Sequence, residues 1–349
     1  MKTVDFIVVG CGLAGISFIE QLKTNNKSVL VFDNASQQSS TVAGGLYNPV
    51  VLKRFTSVWK SKEQLELALP FYHSLEDKLQ VKLDYKIPVL RRFTSSEEQN
   101  DWFAASDRPQ VGEFLSTKIV KNTNPHIDAA YGLGEVLHTG RIDTGQLITS
   151  YISYLKTTNE FSAEGFDYDA LKITESGFRY QNVLAKHIVF AEGFGVKRNP
   201  YFNTLPLNGT KGELITIKAP DLKLDYILKS SAFLIPMEND VYWVGATYEW
   251  NDKTNSITEK AKDELLSKIK MFITCDFKVI NQVAGIRPTV KDRRPLVGEH
   301  PEYKNMYVLN GLGTRGVMIA PYVSEKLFNY IEHGQTLDSE IDIRRFNSN

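Results

Sequence analysis

The chain has 349 residues, more than most single domains, so two domains or one with a large insertion are expected. Its 42% hydrophobic and 23% charged residues suit a globular protein, and 41 basic against 41 acidic residues exclude a global field that would steer it to nucleic acid or an anionic membrane, leaving only a local basic patch open. Two cysteines without a CxxC partner (Cys11, Cys275), six scattered histidines and no signal-like or spanning apolar segment argue against disulfides, a metal site and a membrane span, and imply a cytoplasmic location.

Residues 4–9 (VDFIVV) are an almost unbroken apolar, β-branched run, as in a parallel strand buried on both faces. The turn Gly10-Cys11-Gly12-Leu13-Ala14-Gly15 follows at once. Leu13, Ile16, Ile19 and Leu22 then recur at helical spacing, and residues 28–32 form a second apolar run ending at Asp33, 18 residues after Gly15. Strand, glycine turn, helix and strand make a βαβ unit. Gly10 permits the tight turn, Gly12 a close approach to a pyrophosphate, and Gly15 close packing of helix on strand. The terminal acid suits an adenosine ribose and disfavours a 2′-phosphate, so NADP is set aside. Glycine usage of about 7% produces the bare spacing by chance in roughly one chain in ten. The flanking strand, helix and acid are what make it a dinucleotide site, without choosing NAD or FAD. Cys11 reads as a small loop filler.

Residues 57–79 read as a helix interrupted near Pro70, and Thr94-x-x-Glu97 as a capping box opening a helix through Trp102 and Phe103. Residues 186–192 (KHIVFAE) form another buried strand. Strand patterns at 213–217, 232–235 and 241–244 suggest a separate antiparallel sheet, followed by a helix near 257–272. The tail repeats the opening: a strand at 305–309, the glycine-rich turn Gly311-Leu312-Gly313-Thr314-Arg315-Gly316, and a helix marked by Val317, Ala320, Val323, Leu327, Tyr330 and Ile331. Gly334 caps it, and Pro321 fits near its first turn. Its start is a second ready anion site.

Four segments together resemble the D-amino acid oxidase, glycine oxidase and sarcosine oxidase family of flavoenzymes. They are the first glycine turn, the small-residue loop 39–49 (SSTVAGGLYNP), Phe190-Ala191-Glu192-Gly193, and a C-terminal pair. In that pair, Arg287-Pro288 through Asp292, Pro295 and Gly298 is similar to the family's RPxxxDxxPxxG, and 311–321 to its glycine turn and AP-containing helix start. The resemblance covers most of the chain and is weakest between about 90 and 130.

The resemblance implies an α/β (α+β) fold, with a Rossmann-like FAD-binding domain from 1–84, 134–200 and 278–349. An inserted antiparallel-sheet substrate domain takes 85–133 and 201–277. It implies non-covalent FAD held by Gly10, Gly12, Leu13, Ala14, Gly15, Asp33, Asn34, Thr41, Ala43, Gly44, Leu46, Phe166, Ala191, Gly193, Gly311, Gly313, Thr314, Arg315, Gly316 and Val317. Arg287 matches the family's carboxylate-binding arginine, with an ion pair to Asp292 as the competing reading. Lys53, Arg54 and Arg315 are further candidates for that anion. Tyr248 and Tyr47 either meet the substrate or simply pack.

The implied activity is oxidation of the C–N bond of a small amino acid or N-substituted glycine by hydride transfer to flavin N5, with oxygen or another electron acceptor. Trp243 stands where sarcosine oxidases carry the lysine that promotes reaction with oxygen. Three alternatives stay open: oxidation of a carboxymethylaminomethyl group on modified tRNA, a non-catalytic flavin-binding partner subunit, and an NAD dehydrogenase. Zero net charge disfavours a nucleic-acid partner.

Overall fold

A computed structural model describes residues 1–175 and 177–346. Strand β1 (Lys2–Val9), helix α1 (Leu13–Thr24) and strand β2 (Val29–Phe32) form the expected βαβ unit, with β1 and β2 parallel. Strand Val183–Phe190 lies parallel to β1 on its other side. Phe161–Ser162 extends the sheet past β2, and Met306–Asn310 past Val183–Phe190. Successive β1 side chains enter different layers: Phe6 and Val8 join the core of the helices, and Ile7 and Val9 the core of Phe178, Tyr180 and Phe190.

The remaining helices are α2 (Ser61–Leu79), α3 (Ser96–Ser106), α4 (Thr144–Thr157), α5 (Glu259–Ile269) and α6 (Gly316–His333). α1 packs on α4 and α6, and α2 packs on α6. Glu20, buried on α1, accepts from Tyr151 of α4 at 2.5 Å and is paired with Lys78 of α2. One carboxylate thus ties three helices together.

The second sheet has eight strands in the order Lys278–Arg287, Thr210–Lys218, Val241–Gly245, Phe233–Pro236, Ile227–Lys229, Val89–Arg92, Leu133–Val136, Leu115–Val120. Every neighbouring pair is antiparallel except Ile227–Lys229 with Val89–Arg92. Its core faces α5, where Ile215, Leu234 and Val244 meet Leu265 and Ile269.

The structure corrects three local readings. α2 runs unbroken through Pro70, because Pro70 and the carbonyl-bearing Glu66 one turn before it are both exposed, so water replaces the lost hydrogen bond. α3 is capped by Ser95, which accepts from the Glu98 amide at 3.1 Å. Glu98 reaches back to Thr94, so the capping box sits one residue later than Thr94 and Glu97 suggested. Strand Lys278–Arg287, whose residues were grouped with the FAD-binding segments, belongs to the second sheet, paired along its length with Thr210–Lys218.

That pairing carries a buried ion cluster. Lys211, fully buried, lies 2.5 Å from Asp252 and 3.6 Å from buried Glu213, whose carboxylate also accepts from Gln282 and Thr258. Substitution Lys211→Met leaves Glu213 without its cation, and denaturant unfolding is expected to show a loss of about 3–5 kcal/mol. A loss under about 1 kcal/mol would mean that the cluster is not held by its charge.

Candidate active site

A cavity of about 1260 Å³ opens between the two sheets, above the usual size for a drug-like ligand. The C-terminal end of β1 delivers Gly10, Gly12, Leu13 and Ala14 to its lining, and the end of β2 delivers Asp33 and Asn34. Ala43, Gly44 and Leu46 come from the loop that follows, and Phe166, Ala191 and Gly193 also line the space. Gly311, Gly313, Thr314, Arg315, Gly316 and Val317 bring the second glycine turn to the same space, which Arg287, Tyr248 and Lys53 also line. Two turns some 300 residues apart in the sequence therefore meet in one cavity.

Gly15 and Thr41 are outside the lining. Thr41 is exposed. A side chain on Gly15 would strike the Gly10 carbonyl, so this glycine lets α1 sit against the turn. Tyr47 also stays outside. It is buried and donates to Asp84 at 2.8 Å, which makes it part of the packing.

The first turns of α1 and α6 both face the cavity. Neither helix has a side-chain cap or an acidic residue in its first turn. Each therefore offers amide groups and the positive end of a dipole to an anion. Asp33 accepts from the amides of Cys11 at 2.5 Å and Ala35 at 2.6 Å, and as a carboxylate keeps lone pairs for a ligand. Cys11 is buried, and desolvation holds its thiol well above the usual value, so it is no nucleophile.

Charge is divided along the cavity. Asp33, Glu164 and Glu192 gather with Phe166 and Tyr168; Glu192 accepts from Tyr168 and Asn199, and burial raises its carboxyl. Arg198 lines the wall near Glu192; Lys229 and Arg287 line it from the second sheet, and Lys53, Arg54, Arg293, Arg294 and Arg315 from loops and the α6 turn.

Arg287 ends strand Lys278–Arg287 and folds back over Gly212 of the neighbouring strand, where any side chain would collide with the guanidinium. It donates to the Thr247 carbonyl at 3.2 Å, and its guanidinium carbon lies 4.7 Å from the Tyr248 ring centre. Desolvation lowers its pKa, partly offset by the Tyr248 phenol. The proposed pair with Asp292 is absent: Asp292 holds Arg345 at 2.9 Å and the Arg294 amide at 3.0 Å instead.

Sequence reasoning missed Lys229, which reaches the cavity from a three-residue strand and lies 4.5 Å from the Phe233 ring centre. Too short for a periodic signal, that strand is defined by pairing with Val89–Arg92 and Phe233–Pro236. Trp243 lies apart from the lining, its ring 5.0 Å from the Arg141 guanidinium carbon. Among the described residues no three His, Cys, Asp or Glu gather as a metal site, and no helix is long and apolar enough to cross a membrane.

A family model described as FAD dependent oxidoreductase (DAO) matches residues 5–329. Glycine oxidase of Bacillus subtilis (strain 168) is 27% identical over 212 residues, covering 55% of this chain and 56% of the relative. The tRNA 5-methylaminomethyl-2-thiouridine biosynthesis bifunctional protein MnmC of Nitrosospira multiformis is 25% identical, over 97% of this chain and 58% of the relative. The chain thus spans little more than half the length of these two relatives. In fold it is similar to the crystal structure of glycine oxidase from Geobacillus kaustophilus, with a TM-score of 0.79, 18% identity and 97% of each chain covered.

Lys229 gives the site a pH signature. Burial, then the nearby charges of Arg91 and Lys268, pull its pKa from 10.5 to about 8. Between those values the unfolded lysine keeps a proton that the folded one has released, so its contribution to stability rises with pH across that window. Below about pH 8 the folded chain carries the full cost of the buried ammonium. Substitution Lys229→Met is therefore expected to raise the thermal midpoint at pH 7, with the gain shrinking as pH approaches 10.5. A gain independent of pH would assign the effect to packing.

Proposed function

The chain belongs to the FAD dependent oxidoreductase family whose model its residues 5–329 match, and from that premise we propose that it oxidises the carbon–nitrogen bond of a small amino acid or N-substituted glycine. Arg287 carries this reading: a desolvated guanidinium facing the cavity with, among the described residues, only a carbonyl as hydrogen-bond partner. Such a group calls for an external carboxylate.

On this reading Gly10, Gly12, Leu13 and Ala14 present backbone amides and the start of α1 to the FAD pyrophosphate, Gly15 lets that helix sit close enough to do so, and Asp33 with Asn34 takes the adenosine ribose. Phe166, Ala191 and Gly193 border the adenosine. Ala43, Gly44 and Leu46, with Gly311, Gly313, Thr314, Arg315, Gly316 and Val317, border the flavin, and Thr41, outside the lining, takes no part. FAD, when bound, supplies a two-electron acceptor. Arg287 grips the substrate carboxylate through paired N–H donors, while Tyr248 stacks on the guanidinium and offers its hydroxyl to the same anion. Lys53, exposed at the rim, draws anions inward. Loss of two electrons, which FAD would accept, and two protons from the substrate leaves an imine, which water converts to a carbonyl product and an amine, or ammonia where the substrate is a free amino acid.

A second reading is favoured by one observation: the match to the MnmC protein runs over 97% of the chain, against 55% for glycine oxidase. A uridine bearing a carboxymethylaminomethyl group is itself an N-substituted glycine. Exposed Lys53 and Arg54 at the rim suit the phosphates of a larger substrate.

Anaerobic addition of glycine, sarcosine, D-amino acids, proline analogues and carboxymethylaminomethyluridine, free or within tRNA, to the FAD-loaded protein tests both readings. Bleaching of the flavin band by an N-substituted glycine is expected. Arg287→Met should raise the concentration for half-maximal bleaching about 100-fold without changing FAD content. Bleaching by the tRNA substrate alone selects the second reading, and no bleaching by any compound makes the protein a flavin-binding subunit without turnover.

A further inference from the structure

Besides arginines, which keep their protons, the described wall of the cavity carries two basic side chains. Lys53 is exposed at the rim, whereas Lys229 is half-buried on strand Ile227–Lys229. The same wall holds no cysteine and no histidine among the described residues. Lys229 is therefore the sheltered nitrogen nucleophile of the cavity.

Its surroundings keep the amine free. The Nζ atom lies over the Phe233 ring, 4.5 Å from its centre, and among the described residues makes no hydrogen bond or ion pair. Arg91 is its partner across the parallel ladder. Glu98 of α3 is committed to that arginine, through Nε at 2.8 Å and Nη2, and to the Thr94 amide and hydroxyl. Lys268 of α5 brings a further positive charge and holds Glu264. Desolvation, then Arg91 and Lys268, lower the lysine pKa to about 8, so in mildly alkaline solution much of it is a neutral amine.

The sheet places this amine on the same wall as Arg287. Lys229 pairs with Phe233, Phe233 with Gly245 and Gly245 with Leu214, and Arg287 lies over Gly212, two residues along from Leu214. At about 4.8 Å per strand, the backbones at Lys229 and Gly212 are roughly 16 Å apart, and the two side chains shorten that span from its ends. A carbonyl compound formed at Arg287 is released into the space that Lys229 lines. One molecule in about 1260 Å³ is at about 1 M, and FAD, when bound, takes part of that volume and raises the figure.

We propose that Lys229 is a covalent carbonyl-capture site, which takes the α-oxo acid or aldehyde left by oxidation and holds it as an imine. The Nζ lone pair attacks the carbonyl carbon, a C=N bond replaces C=O, and the oxygen leaves as water with the two amine hydrogens. No electrons are exchanged, and water reverses the step. The origin of the carbonyl rests on the oxidation argued above; the reactivity of the amine does not. Product retained in this way leaves the cavity at the rate of imine hydrolysis rather than of diffusion.

Reductive trapping tests the site without turnover. The FAD-loaded protein is incubated with glyoxylate and cyanoborohydride, which turns each imine into a carboxymethyl-lysine, and peptide mass spectrometry gives the rate at every lysine. Lys229 is expected to be modified at least about tenfold faster than exposed Lys53. In Lys229→Arg, which keeps the cation and lacks the nucleophile, the fast phase should vanish while the rate at Lys53 stays within about twofold. Lys229 reacting no faster than Lys53 in the unaltered protein overturns the proposal, whether or not the variant folds. A fast phase that survives in Lys229→Arg does the same. Labelling of Lys229 only after FAD is removed also overturns it, by placing the lysine beneath the cofactor. Anaerobic bleaching by the amines named above supplies the second readout. Selective labelling without bleaching keeps the capture site and rejects the oxidation as the source of its carbonyl; bleaching without selective labelling rejects the capture site alone.

Discussion

Strand Lys278–Arg287 is hydrogen-bonded to Thr210–Lys218 over their whole length, with one irregularity between Thr216 and Ile217. Everything placed on the cationic wall depends on this seam. It sets Gly212 opposite Gly285, so Arg287 can fold back across a strand surface that carries no side chain. The next residues lead to Leu296–Glu299 and Met306–Asn310 in the first sheet. One ladder thus sets the substrate-side wall against the dinucleotide turn. Buried Lys211 and Glu213, with half-buried Asp252, pin the same strand, and truncating Lys211 leaves the Glu213 charge in low dielectric.

A chain with no net charge can still build a strong local field. Here the cavity wall carries acids (Asp33, Glu164, Glu192) after strands of the first sheet, while Lys229 and Arg287 come from the second sheet and Lys53, Arg293 and Arg315 from loops and the α6 turn. Two helix termini add their positive ends to the cavity. Little of this field extends far into salt solution, because screening removes exposed terms within about 10 Å. It acts on whatever enters the cavity, where desolvation strengthens each interaction.

The parts legible in the sequence are local. Gly10 through Asp33 follow one another as strand, turn, helix and strand, so position along the chain already implies position in space, and the same holds for 305–334. That the two units share one cavity followed only from resemblance, since no periodicity links residues so far apart. Lys229 was invisible because a three-residue strand paired to distant Val89–Arg92 looks like any surface lysine. The ion pair offered for Arg287 failed because Asp292 turns to Arg345 near the C-terminus, a contact set by tertiary packing. Pro70 misled for the opposite reason: the rule is sound, but an exposed helix face lets water absorb its cost.

The buried thiol of Cys11 has a practical corollary. Alkylating reagents and peroxides attack the thiolate, and this one is both inaccessible and held in its neutral form. The only other cysteine in the sequence, Cys275, is partly exposed beside the core of the second sheet. A maleimide dye or spin label would therefore mark the chain at one defined point, outside the cavity lining, and report on movement of the second sheet while the dinucleotide turn stays chemically intact.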